Sequence, residues 1–557
     1  MFACTSTGVL AQDRPSEAEL FGGSPDSGNE GEAGASSGDN AIAGTAPASA
    51  NQAGTEAASP AAEGTAAASD TISAGAGTPA APDGSSSESR GTARDELVLG
   101  GDSTPMFSEE AAPSDPLSIG GQVYLRLQSS ATKGSKVEDY SLNMPTFLDV
   151  YFDARPNDRI RGFVRGRMSY DPMLPASATT DFSSGDPLAN SGTSGSASLS
   201  SLFAQRTNAP RVLLDQLWLS FDVAHTLFVT IGRQHVRWGT ARFWTPTDFL
   251  HIRRRNPLDV FDARTGSTML KLHLPIESKS WNFYAYGVTE GQEERPGLTN
   301  VAGALRGEFV FGPSEFGLGV FARPDSRAKF AADASAGIGD FDVYAELALV
   351  DARYSDRVRF NANAQLPQPP DPLTGQSLQD YFKQAVEALY PVYQNRGYRP
   401  QAVAGFTYSN KYNDNDIFTL GAEYFYNGFG YANSDAYPGL TLPRTTALEN
   451  PATFFYLGQH YVAVFALFPS PFKLDLHSFT LSTLGNLSDR SFISRFDYSY
   501  TLLTHLRLDA FFAVHYGHVG EFRFGLTPPA EFGAQVSGIE LLPPSLFDVG
   551  VALRLAI

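Results

Sequence analysis

The chain has 557 residues, 42% of them hydrophobic and 18% charged, with a formal net charge of −19 at pH 7. Its single cysteine, Cys4, excludes an internal disulfide framework and any zinc site built on cysteines. No apolar run reaches the roughly 18 residues a transmembrane helix needs, an absence that leaves a β-barrel untouched because barrel strands alternate.

The acidity is local. Residues 1–116 hold eighteen acids and three arginines, a charge of −15, which leaves only −4 on 117–557. Within that front part, Val9-Leu10-Ala11 has the small-residue pattern of a signal-peptide cleavage site, so residues 1–11 are expected to be the remnant of a signal sequence. They lack a basic n-region, and an N-terminal stub without a role competes with this. Residues 12–116 are Ala, Gly, Ser, Thr and Pro with scattered acids, a composition that buries too little apolar surface to offset chain entropy. A disordered tail or spacer is expected there, in preference to a binding segment.

From 117 the texture changes to period-two alternation. In 159–170, Arg159, Arg161, Phe163, Arg165, Arg167 and Ser169 share one face, and Ile160, Gly162, Val164, Gly166, Met168 and Tyr170 share the other. In 212–223, Gln216, Trp218, Ser220 and Asp222 fall together. The stretch 341–349 sets Phe341, Val343, Ala345, Leu347 and Leu349 against Asp342, Tyr344, Glu346 and Ala348. Residues 506–516 and the terminal FDVGVALRLAI repeat the pattern. Such segments number roughly eighteen, each of about 10–14 residues, against the 9–11 that cross a bilayer at a tilt.

The connections sort by length. Short turns are expected at Pro156-Asn157-Asp158, around His225, at Glu277–Ser280, Gly312-Pro313-Ser314, Gly337–Gly339, Lys411–Asp416, Ser470-Pro471 and Thr504. Long links alternate with them at 172–210, 239–265, 354–399, 428–452 and 518–544, with brief ones at 322–327 and 485–490. A soluble sandwich has no reason for this alternation, whereas an outer-membrane barrel pairs short periplasmic turns with long external loops. The expected fold is therefore all-β: one antiparallel transmembrane β-barrel of about 16–18 strands over 117–557. Soluble β-domains are the competitor. The implied location is the outer membrane of a Gram-negative bacterium, with loops at the cell surface and the tail in the periplasm.

A barrel wall in lipid forces the arginines inward, because an Arg facing the bilayer midplane costs about 2–4 kcal/mol. Arg161, Arg165 and Arg167 are expected to line the lumen, joined by Arg233, His235 and Arg237. Val229 and Ile231 share the parity of Arg233, so a bulge at Gly232 is expected to turn both sets the right way. Trp238 then falls at the outer lipid rim as part of an aromatic girdle. Asp149 and Asp153 face the ladder, which leaves anion selection and structural ion pairing evenly matched.

The run Gly232-Arg233-Gln234 with Trp238-Gly239, followed by an aromatic, proline-bearing loop, resembles porin-like outer-membrane barrels. In trimeric general porins the third loop folds inward and narrows the pore opposite an arginine ladder, and this chain resembles that arrangement in loop order and in its Arg-rich strands. The likeness covers most of 117–557 in architecture, but its motif spans about eight residues. It implies a constriction loop at 239–265 carrying Trp244, Arg253, Arg254, Arg255, Asp259 and Asp262. It also implies outer-membrane lipid, the barrel-assembly machinery and further copies of the chain as partners. Barrels of this kind usually end in an aromatic residue, whereas this chain ends in Ile557, which puts assembly recognition in doubt.

Elsewhere, 377–394 places Leu378, Phe382, Val386 and Leu389 at helical spacing, expected as a packed loop helix rather than a plug. No GxSxG, HExxH or phosphate-binding glycine loop occurs, and His515 and His518 lie on opposite faces of a strand, so neither an enzyme, a metal nor a cofactor is expected. A near-neutral barrel with an acidic tail gives no basis for nucleic-acid binding. The expected function is a porin-like channel for passive diffusion of small hydrophilic solutes, with a preference for anions left open. Two alternatives stay open: a closed barrel acting as adhesin or tether, and an exporter working with partner proteins.

Overall fold

The computed structural model describes residues 116–556 except 174–209, 252–253, 259–263, 290–300, 325, 355, 369–374, 394–395, 413–416, 443, 446–447, 449–452 and 527–541. The expectations for 1–115, Arg253, Asp259, Asp262 and Ile557 lie outside the described residues.

Eighteen long antiparallel strands follow one another. The first six are β1 (Leu117–Thr132), β2 (Thr146–Asn157), β3 (Ile160–Tyr170), β4 (Arg211–Val223), β5 (Leu227–Gln234) and β6 (Ser267–Ile276). Next come β7 (Trp281–Val288), β8 (Ala302–Phe311), β9 (Ser314–Arg323), β10 (Ser326–Ile338), β11 (Phe341–Asp351) and β12 (Tyr398–Lys411). The last six are β13 (Ile417–Asn427), β14 (His460–Pro469), β15 (His477–Asn486), β16 (Ser491–Leu503), β17 (Leu506–Gly517) and β18 (Ser545–Ala556). Each pairs with the next, and β18 pairs with β1 from Gln122↔Ala556 to Thr132↔Ser545, which closes the sheet. A three-residue strand, Ser141–Asn143, hangs on the end of β1.

Burial is inverted relative to a soluble protein. On β18 the outward Val549, Val551, Leu553 and Leu555 are exposed, while the inward Asp548 and Ala552 are buried. On β3, Arg161 and Arg165 are buried and Ile160 is exposed. Period-two alternation with the oily side outside suits a wall between lipid and a polar lumen. No helix of the described residues is long and apolar enough to cross a membrane.

The alternation of connections follows the sequence closely. Tight turns join β2 to β3, β4 to β5, β8 to β9 and β10 to β11, with Ala224, His225, Gly312 and Gly339 at positive φ, as tight hairpin turns require. Both ends of the barrel chain lie at this short-turn rim. Rings crowd its outer surface from β7 to β16: Trp281 meets Phe309 edge-on at 5.2 Å, Phe341 lies 4.9 Å from Tyr408, and His477 stacks on Tyr500 at 4.6 Å. Such a band is what a lipid headgroup boundary selects.

At the long-loop rim, helix α1 (Gly375–Leu389) occupies the 352–397 loop, as its spacing predicts. It packs Val386 and Leu389 with Val358, Tyr431, Tyr437 and Leu457 of neighbouring loops. Its partners are loop residues, as expected of a packed loop helix.

Candidate functional site in the barrel lumen

The lumen has two unlike walls. One runs across the closure seam, from β16 through β18 and β1 to β4, and is charged. Arg161 on β3 makes two hydrogen bonds of 2.9 Å to Asp153 of β2, and Arg167 makes two of 2.8 Å to Asp149. Arg495 pairs with Asp497 at 2.9 Å and Arg507 with Asp509 at 3.0 Å. Arg126 and Arg495 both lie against the ring of Phe511, at 4.4 and 4.0 Å. The predicted ladder residues Arg161, Arg165 and Arg167 thus sit on one inner face, with carboxylates set between them.

A bulge supplies a further carboxylate. Arg165 faces Gln216 and Gly166 faces Leu214, so Asp215 is the extra residue of β4 and is buried along with Gln216. Its carboxylate lies 4.0 Å from Arg165, 3.9 Å from Arg167 and 3.0 Å from His235. The irregularity therefore falls in β4 and not at Gly232, where the register runs unbroken from Phe221↔Val229 to Leu217↔Arg233. Arg233 consequently shares the outward parity of Leu217 and Ile231 instead of lining the lumen. It donates along the wall to the carbonyls of Gly266 (2.8 Å) and Leu214 (3.2 Å). Glycine at 232 is demanded locally: its φ is +128°, and a Cβ would stand 2.1 Å from the Leu217 carbonyl oxygen.

After Gln234 the chain leaves the sheet and turns into the lumen. Trp238 is accordingly inside the barrel, not at the lipid rim: it is 1% exposed and packs edge-on to Tyr286 and Phe249. The Arg306 guanidinium lies 5.6 Å from its ring, and Gly319 makes room for it. An aromatic beside a strand end reads as girdle only if the chain continues upward, and here it folds inward.

The 235–266 loop crosses to the opposite wall, where two strand glutamates hold it. Glu423 of β13 accepts hydrogen bonds from three consecutive amides, Arg242 (2.8 Å), Phe243 (3.2 Å) and Trp244 (2.9 Å), and from the Tyr344 hydroxyl (3.0 Å). Glu346 of β11 accepts from the amide of Ala241 (2.6 Å) and the hydroxyl of Thr247 (2.7 Å). Successive N–H groups converging on one carboxylate form an anion nest. Trp244 then stacks on Phe425 at 5.6 Å, and its indole N–H donates to the Phe455 carbonyl at 3.0 Å. Ala241, Phe243 and Trp244 join Tyr344, Phe425, Tyr461, Phe465 and Phe522 in one buried apolar cluster.

The middle of the loop is braced ionically. Asp248 receives Arg264 at 2.9 Å and His251 at 3.1 Å. Burial alone would raise its carboxyl, but the His251 ring and the Arg264 guanidinium beside it outweigh burial and hold it at about 2. His251 in turn lies 5.7 Å from His235, ring over ring, linking the loop to the charged wall. Arg237 donates to the Ala241 carbonyl, and burial followed by the nearby charge of Arg255 brings its guanidinium down to about 10. Arg254 lies over the Tyr456 ring at 4.5 Å and donates to Gln401, while Arg255 is buried.

Of the residues singled out from sequence, the structure brings together Arg161, Arg165, Arg167 and His235 through Asp215. It places Arg237, Trp244, Arg254 and Arg255 on the inward loop, and it separates Arg233 and Trp238 from their expected positions. Sequence reasoning missed Glu346 and Glu423 as anchors. Their signal was visible: each is an acid on the inner parity amid an apolar stretch, in AELAL and GAEYF. Arg126 and Arg495 were missed because only barrel closure brings strands so distant in sequence together.

No known protein family profile matches the chain, and no curated protein matches it in sequence. Among solved structures it is similar to OccAB4 of Acinetobacter baumannii, at 9% identity and TM-score 0.42, covering 80% of this chain and 99% of that one. OccAB2 of the same organism gives 10% identity and the same TM-score, over 80% and 99%. A variant of the Rhodopseudomonas blastica porin gives 10% identity and TM-score 0.34, over 79% and 100%. Likenesses this weak carry no argument by themselves. The class follows from the strand pairing and the inverted burial: an 18-strand transmembrane β-barrel.

Proposed function

We propose that the chain is a channel of the Gram-negative outer membrane that passes small hydrophilic solutes by diffusion, without catalysis, between the inward 235–266 loop and the charged wall. In this proposal the long loops face outward and the short-turn rim faces the periplasm. The observation that carries it is the pinning of that loop to Glu346 and Glu423, which draws the loop to one side and leaves the paired arginines and aspartates opposite. Because carboxylates are set between the ladder arginines, the finer expectation is a shallow anion preference. Fixed charges of opposite sign set side by side along one wall weaken each other's field at the distance of a passing ion.

The dense packing of Phe243 and Trp244 on the far wall favours a second reading, a closed barrel that adheres or tethers. Single-channel conductance of purified protein in a planar bilayer, with the reversal potential across a salt gradient, separates the two. Steady conductance with a small anion bias supports the channel. Silence from protein shown to be folded and inserted ends it and leaves the closed barrel.

A further inference from the structure

One turn at the short-turn rim sets a large, exposed aromatic side chain on left-handed backbone. Between β14 and β15 the chain makes a compact, self-bonded loop: the Ser470 amide donates to His477 (2.8 Å), the Leu474 amide to Pro471 (3.0 Å) and the His477 amide to Leu474 (2.9 Å). Two of its residues stand in the left-handed region without being glycine, Ser470 at φ +48° and Phe472 at φ +57°. An aromatic side chain there costs energy that a glycine would avoid. What the strained backbone achieves is display: Phe472 is 81% exposed, beside Leu474 and Leu476 and the exposed Leu502 and Leu503 of the next turn.

The patch continues the aromatic band of the same rim. Phe468 stacks on Phe418 at 6.4 Å, Phe418 meets Tyr412 at 6.2 Å, and Tyr412 meets Phe472 at 6.4 Å. The Thr501 amide, donating to Leu476 at 2.9 Å, ties the turn to β16 beneath His477 and Tyr500. This continuity with a lipid-facing band selects the occupant.

We infer that the 470–476 turn is a membrane anchor, its Phe472, Leu474 and Leu476 side chains inserted at the headgroup–acyl boundary of the adjacent phospholipid leaflet. The inference rests on the transmembrane-barrel reading. It adds that one sector of the rim, near β13–β16, is held deeper in the leaflet than the rim of β17–β18 and β1–β6. Amphipathic aromatics favour that boundary because it accepts a ring on one side and hydration on the other.

The test places a nitroxide at Phe472→Cys in full-length protein with Cys4→Ser, reconstituted in phosphatidylethanolamine/phosphatidylglycerol vesicles. Collision with oxygen, which partitions into lipid, is compared with collision with a water-soluble nickel chelate. Val464→Cys on the lipid-facing belt and Asp158→Cys on an exposed short turn serve as references. The expected result is a Phe472 label that favours oxygen as the Val464 label does. A label resembling Asp158 overturns the anchor and leaves the patch open to a periplasmic protein, and one shielded from both reagents overturns it in favour of a contact between copies. If the Val464 label itself collides mainly with the nickel chelate, the barrel reading fails and not merely the anchor. A second measurement uses backbone relief. Phe472→Gly removes the left-handed penalty and the ring together, so thermal stability in vesicles should fall if the inserted ring outweighs the strain, and a rise in vesicles overturns the inference.

Discussion

Removing the Glu423 carboxylate, as in Glu423→Ala, should release the lumenal loop. That carboxylate satisfies three consecutive backbone amides and one hydroxyl in a water-poor cluster. Each buried donor left without a partner costs about 1–3 kcal/mol. At the lower figure, three orphaned amides already destabilise the pinned position by about 3 kcal/mol, a shift of roughly a hundredfold in the ratio of pinned to released loop. The barrel itself should survive, because Glu423 takes no part in strand pairing through its side chain and Glu346 still holds Ala241 and Thr247. Single-channel recording should then show a larger or noisier conductance than wild type, and Glu346→Ala on top should enlarge it again. A folded, inserted Glu423→Ala protein with wild-type conductance and noise would refute the idea that this carboxylate sets the width of the lumen.

Further outcomes follow from the same geometry. Asp215→Asn removes the carboxylate between Arg165, Arg167 and His235, so the reversal potential across a chloride gradient should move toward the chloride value relative to wild type. Glu521, in the loop after β17, is buried among the Leu457 amide, the Tyr461 hydroxyl and Asn486, and burial followed by the charge of Asp489 raises its carboxyl to about 8. The folded state keeps that proton while the unfolded chain loses it above about 4.5, so stability should fall as pH rises from about 4.5 to 8, by up to about 1.4 kcal/mol per unit. Melting curves at pH 5 and 8 check this, and Glu521→Gln should flatten the difference. Gly232→Ala combines a strained φ with a Cβ driven into the Leu217 carbonyl, and should cost about 2 kcal/mol or more in denaturant unfolding.

Most of the wall was legible because lipid imposes a strict rule on alternate residues. The arginine face of 159–170 could not be turned outward, and the turn positions followed from where alternation breaks. The lumen was less legible, and for a definite reason. Whether Arg233 faces in or out depends on which strand carries the extra residue: it is Asp215 of β4, so β5 keeps its parity through Gly232 and Arg233 stays outward. Trp238 was misplaced because a strand's parity stops applying once the chain leaves the sheet, and it leaves at Gln234. The anchoring by Glu346 and Glu423 joins residues roughly 100 to 180 positions apart in the chain, a separation that periodicity does not reach.

The closure seam has a consequence for the order of events during assembly. The inner charged wall is shared between the first strand synthesised and the last, with Arg126 of β1 and Arg495 of β16 converging on Phe511 of β17, and β18 pairing between β17 and β1. Until β18 arrives, an unzipped sheet holds one half of that wall at each free edge, several hundred residues apart in the chain. Joining ends so distant is entropically costly and slow, and it requires β18, the last strand of the barrel. A chain cut anywhere before β18 would therefore lose more than its last strand: it would be left as an open sheet with ionic groups at both margins, unable to enter lipid without them.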